Sequence, residues 1–401
     1  MFRRAACVLG FWLAPFLTSA ESDPAANLAG FACRPQSCST LVPASSVDDP
    51  EDNDCAYRNG NEWWLDYIAG SLAWSNKPRK HPIIVAVFDD GAAIDHPALK
   101  NRLWTNEAEA HGIPGVDDDG NGYIDDVHGW DFVDNRPIAP PEGECRNQPS
   151  HGTFMASLIA AERNNGIGMA AAGSDGARVM VLRIVGCGGD ARVDPDRIKR
   201  ALEYATRMGA KILSFSAHWY VSTPELDAVF RDIADRPDSP RAAIIVASVP
   251  NKGEPAAGFP AAYHFRRIVR AIPIGNDDQI SPGTTPTPQG LNFGSPSACV
   301  IGASATPGGF AMANGSSNST AILAGLLAGI WSSSPYAKFS TDDFLTGVVK
   351  GRMSQTWRRS RPGLRAPYLN GVPLADACML LRVGRSARVC RRAGGEQDAR
   401  Q

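Results

Sequence analysis

The sequence predicts an α/β protein with a central, mostly parallel β-sheet flanked by helices, and three observations support this class. The 401 residues are 43% hydrophobic and 20% charged, which suits a chain with a large core in one or two domains. Short runs rich in β-branched residues recur along the chain. Segments with helical spacing separate these runs, and such alternation is typical of βαβ units with a sheet covered on both faces.

The predicted elements alternate along the middle of the chain. Buried strands are predicted over residues 83–88, 179–184, 211–216 and 243–247. Helices are predicted over 154–163, 195–208 and 224–234. A later apolar run over 319–331 is shorter than the roughly 20 residues of a membrane span, so it is predicted to be a buried helix.

Charge and composition exclude several classes of protein. Lys and Arg number 40 against 42 Asp and Glu, a net charge of -2, whereas a nucleic-acid-binding protein has a clustered basic excess. The 39 glycines and 30 prolines indicate many loops without low complexity. We therefore expect no nucleic-acid partner, and exclude a collagen, a coiled coil and a polytopic membrane protein.

The N-terminus resembles a secretory signal peptide over residues 1–20. Two arginines precede an apolar run over 5–17, and small residues follow at 18–20. We expect a secreted or periplasmic protein with no membrane association after cleavage; the alternative is a retained signal anchor. Residues 21–60 are predicted to form an exposed arm, 61–382 the main domain and 383–401 an Arg-rich tail.

Cysteine content agrees with an exported chain. Of nine cysteines, eight follow the predicted signal, and an even number in an exported protein favours disulfide bonds. Cys33 with Cys38 and Cys378 with Cys390 are the expected local pairs. Since no CxxC motif or Cys/His pair has metal-ligand spacing, no zinc site is expected.

Three segments place chemically useful side chains where strands end and helices begin. Asp89 ends a predicted strand, His151 precedes Gly-Thr at a helix start, and Ser316 and Ser317 open the apolar helix. Each has an ordinary structural explanation, because Asp and Ser often cap helices and a lone histidine is more often structural. Their order along the chain, Asp, His and Ser, is that of one known serine triad.

With these motifs the sequence resembles the subtilase (subtilisin-like) peptidase family. Phe88-Asp-Asp-Gly91 is similar to the family's aspartate motif, in the form of its kexin branch, and Ser150-His-Gly-Thr153 to its histidine motif. Gly315-Ser-Ser317, followed by Ala324-Gly325, is similar to its serine motif. The resemblance covers about residues 63–382 and implies a three-layer subtilisin-like fold.

The resemblance also implies an activity and its residues. Ser317 would be the nucleophile, His151 the general base, Asp89 its orienting carboxylate and Asn251, in a segment similar to that of the oxyanion hole, a hydrogen-bond donor. The expected protein is a monomeric serine endopeptidase that cleaves protein or peptide substrates through an acyl-enzyme. The alternative is an inactive binding protein with the same fold.

The chain departs from the family pattern near the expected substrate cleft. Ser216-Ala217-His218 stands where the family has Ser-Leu-Gly, and Pro250 stands where it has Gly before the asparagine. In the family these glycines border the specificity pocket, so the resemblance implies that the rings of His218 and Pro250 make it shallower and favour small residues before the cleaved bond. The alternative is a pocket that neighbouring loops have relocated. Phe154, Ser157 and residues 318–322 also depart from the pattern.

An acidic segment predicts a structural Ca²⁺ site. Asp117, Asp119 and Asn121 precede Gly122 in an Asp-x-Asp-x-Asn-Gly pattern, which offers oxygen ligands on a tight turn. The twelfth position is His128 rather than Glu, so Asp125 or Asp126 would complete the site. The alternative is a solvated acidic turn. The glycosylation sequons that begin at Asn314 and Asn318 crowd Ser317 and are predicted to be inaccessible.

Overall fold

The computed structural model describes residues 54–58, 62–74, 79–141, 151–186, 193–251, 258–275, 279–281, 284, 290–306, 308–333, 335–350, 368–369 and 372–380. The predicted signal peptide, the tail over 383–401 and most of the predicted arm lie outside these residues. Five of the eight cysteines after the signal also lie outside, among them Cys33, Cys38 and Cys390 of the expected local pairs, while Cys378 is described only by its backbone.

An eight-stranded sheet forms the centre of the protein. Its strands are β1 (Ile83–Asp89), β2 (Gly129–Asp131), β3 (Arg136–Pro137), β4 (Ala177–Arg183), β5 (Ile212–Phe215), β6 (Ile244–Ser248), β7 (Ile268–Ile274) and β8 (Leu291–Pro296). They lie in the order β3-β2-β4-β1-β5-β6-β7-β8. Only the β2–β3 edge pair is antiparallel. The predicted mostly parallel sheet is confirmed.

Helices cover both faces of this sheet and so produce three layers. The helices are α1 (Cys55–Arg58), α2 (Trp63–Tyr67), α3 (Glu107–Ala110), α4 (His151–Ala160), α5 (Pro195–Arg207), α6 (Pro224–Ala234), α7 (Ser316–Trp331), α8 (Thr341–Asp343) and α9 (Ala377–Leu380). One core contains α4 and α7 with one face of the sheet. A second contains α5 and α6 with the other face.

Shorter elements complete the described part of the chain. They are the β9–β10 hairpin (Val300–Ala303 and Phe310–Ala313), the pair β11–β12 (Tyr368–Leu369 and Val372–Pro373), 3-10 turns at Gly70–Ala73 and Tyr336–Lys338, and a π-helix at Phe344–Lys350. None of the described helices has the length and apolar character needed to cross a bilayer.

Strand β7 was not predicted because a charged side chain interrupts its apolar run. Arg270 is fully buried, and its guanidinium donates to the carbonyl oxygens of Ala261 and Tyr263 at 2.7 and 2.6 Å. Burial lowers the pKa of Arg270. These carbonyl acceptors make a buried cation tolerable within a central strand.

Part of the predicted exposed arm is buried: Asp54, Ala56 and Tyr57 are at most 5% exposed, so the exposure predicted for these three residues was wrong. Asp54 is 0% exposed, and its carboxylate accepts the N–H groups of Asn164, Asn165 and Ile167. Ala56 donates its N–H to the Gly168 carbonyl at 2.7 Å. This segment therefore packs on the loop that follows α4.

Candidate active site

The carboxyl edge of the sheet collects the predicted catalytic residues. Asp89 ends β1, Ser216 directly follows β5 and Asn251 lies just beyond β6. Because β1, β5 and β6 are parallel neighbours, their carboxyl ends lie side by side. His151 is the first residue of α4 and Ser317 the second residue of α7, the two helices that pack on this face.

Asp89 and His151 form a buried pair. His151 Nδ1 lies 2.8 Å from each carboxylate oxygen of Asp89, and the two residues are 5% and 2% exposed, respectively. Since a carboxylate only accepts, Nδ1 carries the proton and the lone pair of the neutral ring lies on Nε2. Burial lowers the pKa of His151, but the charge and hydrogen bond of Asp89 outweigh it, so the pKa is raised overall.

Ser317 lies in a reciprocal contact with Ser216. Its hydroxyl donates to the Ser216 carbonyl oxygen at 3.1 Å, and the Ser216 hydroxyl donates to the Ser317 carbonyl oxygen at 3.2 Å. The structure thus joins Ser317 to Ser216 by hydrogen bonds, and does not join the Ser317 hydroxyl to the imidazole of His151. Gly315 before α7 has φ 156°, ψ 156°, a conformation that only glycine adopts readily.

Asn251 meets the start of the same helix. Its side-chain oxygen accepts the Ser316 N–H at 3.1 Å. This contact determines which end of the amide faces α7, and leaves the Nδ2 group as the donor end. The first N–H groups of α7 have no acceptor within the helix, so backbone donors lie next to this amide.

The residues after Ser317 that depart from the family pattern make buried hydrogen bonds. Asn318 is fully buried and donates to the carbonyl oxygens of Ser297 and Ala313 at 3.0 and 3.1 Å. Ser319 donates to the carbonyl oxygen of Ser295 at 2.8 Å. Asn318 is therefore inaccessible to glycosylation, as predicted, and these polar residues fasten α7 to the end of β8.

Phe154 and Ser157 also fit their surroundings. The Phe154 ring packs on Gly302, where an added Cβ would come within 2.8 Å of it. Ser157 Oγ accepts the Ala303 N–H at 2.9 Å. Both side chains connect α4 to the β9–β10 hairpin, so the two substitutions form part of one packing arrangement.

His218 fills space rather than pointing to solvent. It is 7% exposed, and its ring makes an edge-to-face contact with Tyr220 at 5.4 Å. A Cβ added to Gly258 would lie 2.9 Å from the His218 Cβ, so the backbone at Gly258 packs closely against the His218 side chain. Pro250 is half-buried beside Asn251.

The acidic segment contributes to a cluster of carboxylates that differs in part from the predicted ligand set. Oxygens of Glu109, Asp119 and Asp126 lie within 4.8 Å of one another. Of the carboxylates predicted as ligands, Asp119 and Asp126, the alternative to Asp125, belong to this cluster, whereas Asp117 and Asp125 do not. Asp117 accepts the N–H groups of Asn121 and Gly122, and Asp125 accepts that of Gly115, so both carboxylates stabilise turns.

Two amide side chains connect the carboxylates of this cluster. Asn121 directs its Nδ2 at Asp119 and Asp126, each at 2.9 Å, and Asn106 does so at 2.9 and 2.7 Å. Asp126 is fully buried, and burial raises its pKa. Asn121 would therefore offer its oxygen to a cation only after a half-turn of the amide.

Sequence reasoning missed Glu109 and Asp90. Glu109 lies eight residues before the acidic pattern, and nothing in its own segment marks it as a partner of Asp126. Asp90 stands next to Asp89 in the quoted motif, and its carboxylate accepts the N–H groups of His151 and Gly152 at 3.0 and 2.7 Å. Its position in the motif was the available signal.

Comparisons with known proteins show a family match and several relatives. A model of the subtilase family matches residues 80–368. The chain is 41% identical over 128 residues to subtilisin-like protease 1 of Plasmodium vivax, covering 31% of this chain and 19% of that protein. It is 25% identical over 195 residues to thermitase of Thermoactinomyces vulgaris, covering 49% and 55%.

The extracellular basic protease of Dichelobacter nodosus is 28% identical over 142 residues, which cover 34% of this chain and 23% of that protein. The matched region thus spans about a fifth of the P. vivax and D. nodosus proteins and about half of thermitase.

Proposed function

The chain belongs to the subtilase family, and from this premise we propose that it is a serine endopeptidase that uses Asp89, His151, Ser317 and Asn251. The observation that carries the proposal is the buried Asp89–His151 pair at the sheet edge where Ser317 and Asn251 also lie. The matching relatives, named as proteases, support the same activity.

The reaction begins with a rotation of the Ser317 side chain. The hydroxyl leaves the Ser216 carbonyl and turns toward Nε2 of His151, a contact that often tightens only when substrate binds. His151 then accepts the hydroxyl proton while Oγ attacks the carbonyl carbon of the peptide bond. Asp89 holds the imidazole in the required tautomer and stabilises the imidazolium.

The tetrahedral intermediate places a negative charge on the former carbonyl oxygen. Nδ2 of Asn251 and the backbone N–H of Ser317 donate to this oxygen. The C–N bond then breaks as His151 returns the proton to the leaving amine, which produces an acyl-enzyme. Water, deprotonated by His151, attacks the ester, and release of the acid regenerates Ser317.

We further propose that the substrate pocket accepts small side chains. His218 and Pro250 occupy the positions where the family has glycine, and the low exposure of His218 supports a side chain that is not directed to solvent. Overpacking costs about 1–3 kcal/mol, which corresponds to about tenfold to a hundredfold in kcat/KM against an oversized side chain.

A calcium ion is the proposed structural cofactor. Two oxygens bound to one Ca²⁺ lie up to about 5 Å apart, because Ca–O distances are about 2.3–2.6 Å, so the spacing of Glu109, Asp119 and Asp126 fits such an ion. The raised pKa of buried Asp126 indicates a carboxylate that a cation would stabilise. The ion would neutralise these charges and stabilise the loop.

We propose that the protein is exported and acts as a secreted or periplasmic monomer. The signal-like residues 1–20 support export, and Cys299 is engaged in a disulfide bond, which suits an oxidising compartment. The D. nodosus relative is named as extracellular.

Hydrolysis of a casein substrate by matched serine variants tests the proposed activity. The wild type and Ser316→Ala are expected to cleave casein, whereas Ser317→Ala is expected to be inactive. The two serines are adjacent and buried to 2% and 4% exposure, so the control removes the same group from the same turn. Failure of the folded wild type to cleave casein or any member of a mixed peptide pool would favour the inactive binding protein.

A further inference from the structure

Asp90 contacts the main chain of the proposed general base. One of its carboxylate oxygens accepts the His151 N–H at 3.0 Å and the other accepts the Gly152 N–H at 2.7 Å. Its own N–H donates to Asp89 Oδ1 at 2.9 Å. Two neighbouring carboxylates therefore bind one histidine, Asp89 through the imidazole and Asp90 through the backbone.

The start of α4 leaves little room for another arrangement. A Cβ added to Gly152 would lie 2.0 Å from the Gly91 carbonyl oxygen and 3.0 Å from both the Asp89 Cβ and Asp90 Oδ1. The first turn of α4 thus lies directly on the 89–91 turn. A carboxylate at a helix N-terminus is stabilised by the unpaired N–H groups and the helix dipole.

We propose that Asp90 is a positioning residue for His151, which fixes the first turn of α4 by two hydrogen bonds and adds a second negative charge beside the imidazolium. This inference rests on the proposed serine endopeptidase function. It assigns to Asp90 a role in the reaction that acts through His151 and not through contact with the substrate.

The charged groups around Asp90 are few among the described residues. Asp89 and His151 are the charges that act on it. The aliphatic part of the Arg183 side chain, on β4, lies next to Gly91. Its guanidinium donates to Asp131 and Asp134 at 2.6 Å each. Arg183 is therefore paired with these two carboxylates.

This setting gives Asp90 an unusual titration. Burial, followed by the charge of Asp89, raises the pKa of Asp90 to about 6, although the His151 charge and the two N–H donors act against it. The Asp90 charge in turn contributes to the raised pKa of His151. As the pH falls, protonation of His151 removes the general base, and protonation of Asp90 removes the charge that favours the imidazolium.

The test is the rate of inactivation by a fluorophosphonate as a function of pH, because this probe reports activation of the serine without a known substrate. The purified wild type is compared with Asp90→Ser, whose hydroxyl can accept one N–H but carries no charge. Asp90→Asn is a second neutral variant of nearly native size. Asp95→Ser removes an exposed carboxylate from the same loop and is the matched control.

Both neutral variants are expected to react about tenfold more slowly at pH 8, about 1.4 kcal/mol in barrier. On the acid side, the wild-type rate should fall at a higher pH than the rate of either variant. The Asp90 charge favours the imidazolium, so its loss lowers the His151 pKa and moves the midpoint of the variants to lower pH. Asp95→Ser should behave as the wild type.

A merely structural role would slow the reaction equally at every pH. An acid limb with an unchanged midpoint in a folded neutral variant, established by its melting curve, would overturn this inference alone. If the wild type does not react at any pH, the proposed function fails and this inference fails with it.

Discussion

Replacement of Asn251 tests the proposed hydrogen-bond donor to the oxyanion. Two substitutions of this residue should have the same effect on activity and different effects on stability. Asn251 Oδ1 accepts the Ser316 N–H at 3.1 Å, and Nδ2 is the proposed donor to the substrate oxygen. Asn251→Asp retains the acceptor and removes the donor, whereas Asn251→Ala removes both. Loss of one such donor costs about 2.7–4 kcal/mol, so kcat should fall about 100- to 1000-fold in both variants.

The stability of the two variants should differ. Only Asn251→Ala leaves the Ser316 N–H without its acceptor, and a hydrogen bond of this kind contributes about 0.5–1.5 kcal/mol. Steady-state hydrolysis of a cleaved peptide gives kcat and KM, and thermal melting gives stability. A fall in kcat below tenfold in both folded variants, or a fall expressed only in KM, would refute the role of Asn251.

Three further predictions concern calcium, the pocket and the core. Added Ca²⁺ should stabilise the protein by about 2.7 kcal/mol at a hundredfold excess over Kd, and Asp119→Ala should abolish the shift in melting temperature; identical melting in chelator and in calcium would exclude the site. In a peptide series that varies only the residue before the cleaved bond, the wild type should cleave after Ala with a higher kcat/KM than after Phe. His218→Gly should shift this preference toward Phe. Faster wild-type cleavage after Phe would contradict the narrowed pocket. Glu62 is 1% exposed and accepts the Ala170 N–H. Glu62→Ala should therefore lower the free energy of unfolding by about 1–3 kcal/mol, whereas the exposed control Glu225→Ala should lower it by less than about 0.5 kcal/mol. Equal losses in denaturant unfolding would contradict this role of Glu62.

The sheet and its helices were predictable wherever local pattern and tertiary environment agree. The helix over 224–234 was predicted at its observed bounds, because Thr223 caps it and Pro224 begins it. The strand that ends at Asp89 was predicted because every position of its run is apolar up to the carboxylate. Such segments carry their own boundary signals.

The unpredicted features depend on partners that are distant in sequence. Arg270 argues against a central strand until the carbonyl groups of Ala261 and Tyr263 are brought to it. Asp54 belongs to an acidic run that resembles a solvated loop, yet three N–H groups after α4 bind it. In both cases a buried charge is stabilised by backbone groups that a residue pattern does not reveal.

The candidate site shows the same division. The roles proposed for Asp89, His151, Ser317 and Asn251 follow from motifs and their order, and remain predictions. The metal ligands were assigned from one contiguous pattern, which left Asp125 and Asp126 as alternatives. The fold instead directs Asp126 inward to Tyr204 at 2.6 Å and brings Glu109 to it from α3.

Intact-mass analysis after fluorophosphonate treatment tests the central claim most directly. The wild type and Ser316→Ala should each gain the mass of one phosphonyl group, and peptide mapping should place it on Ser317. Ser317→Ala and His151→Ala should gain none. Stoichiometric labelling that persists in Ser317→Ala, or a folded wild type that gains no mass, would contradict the account.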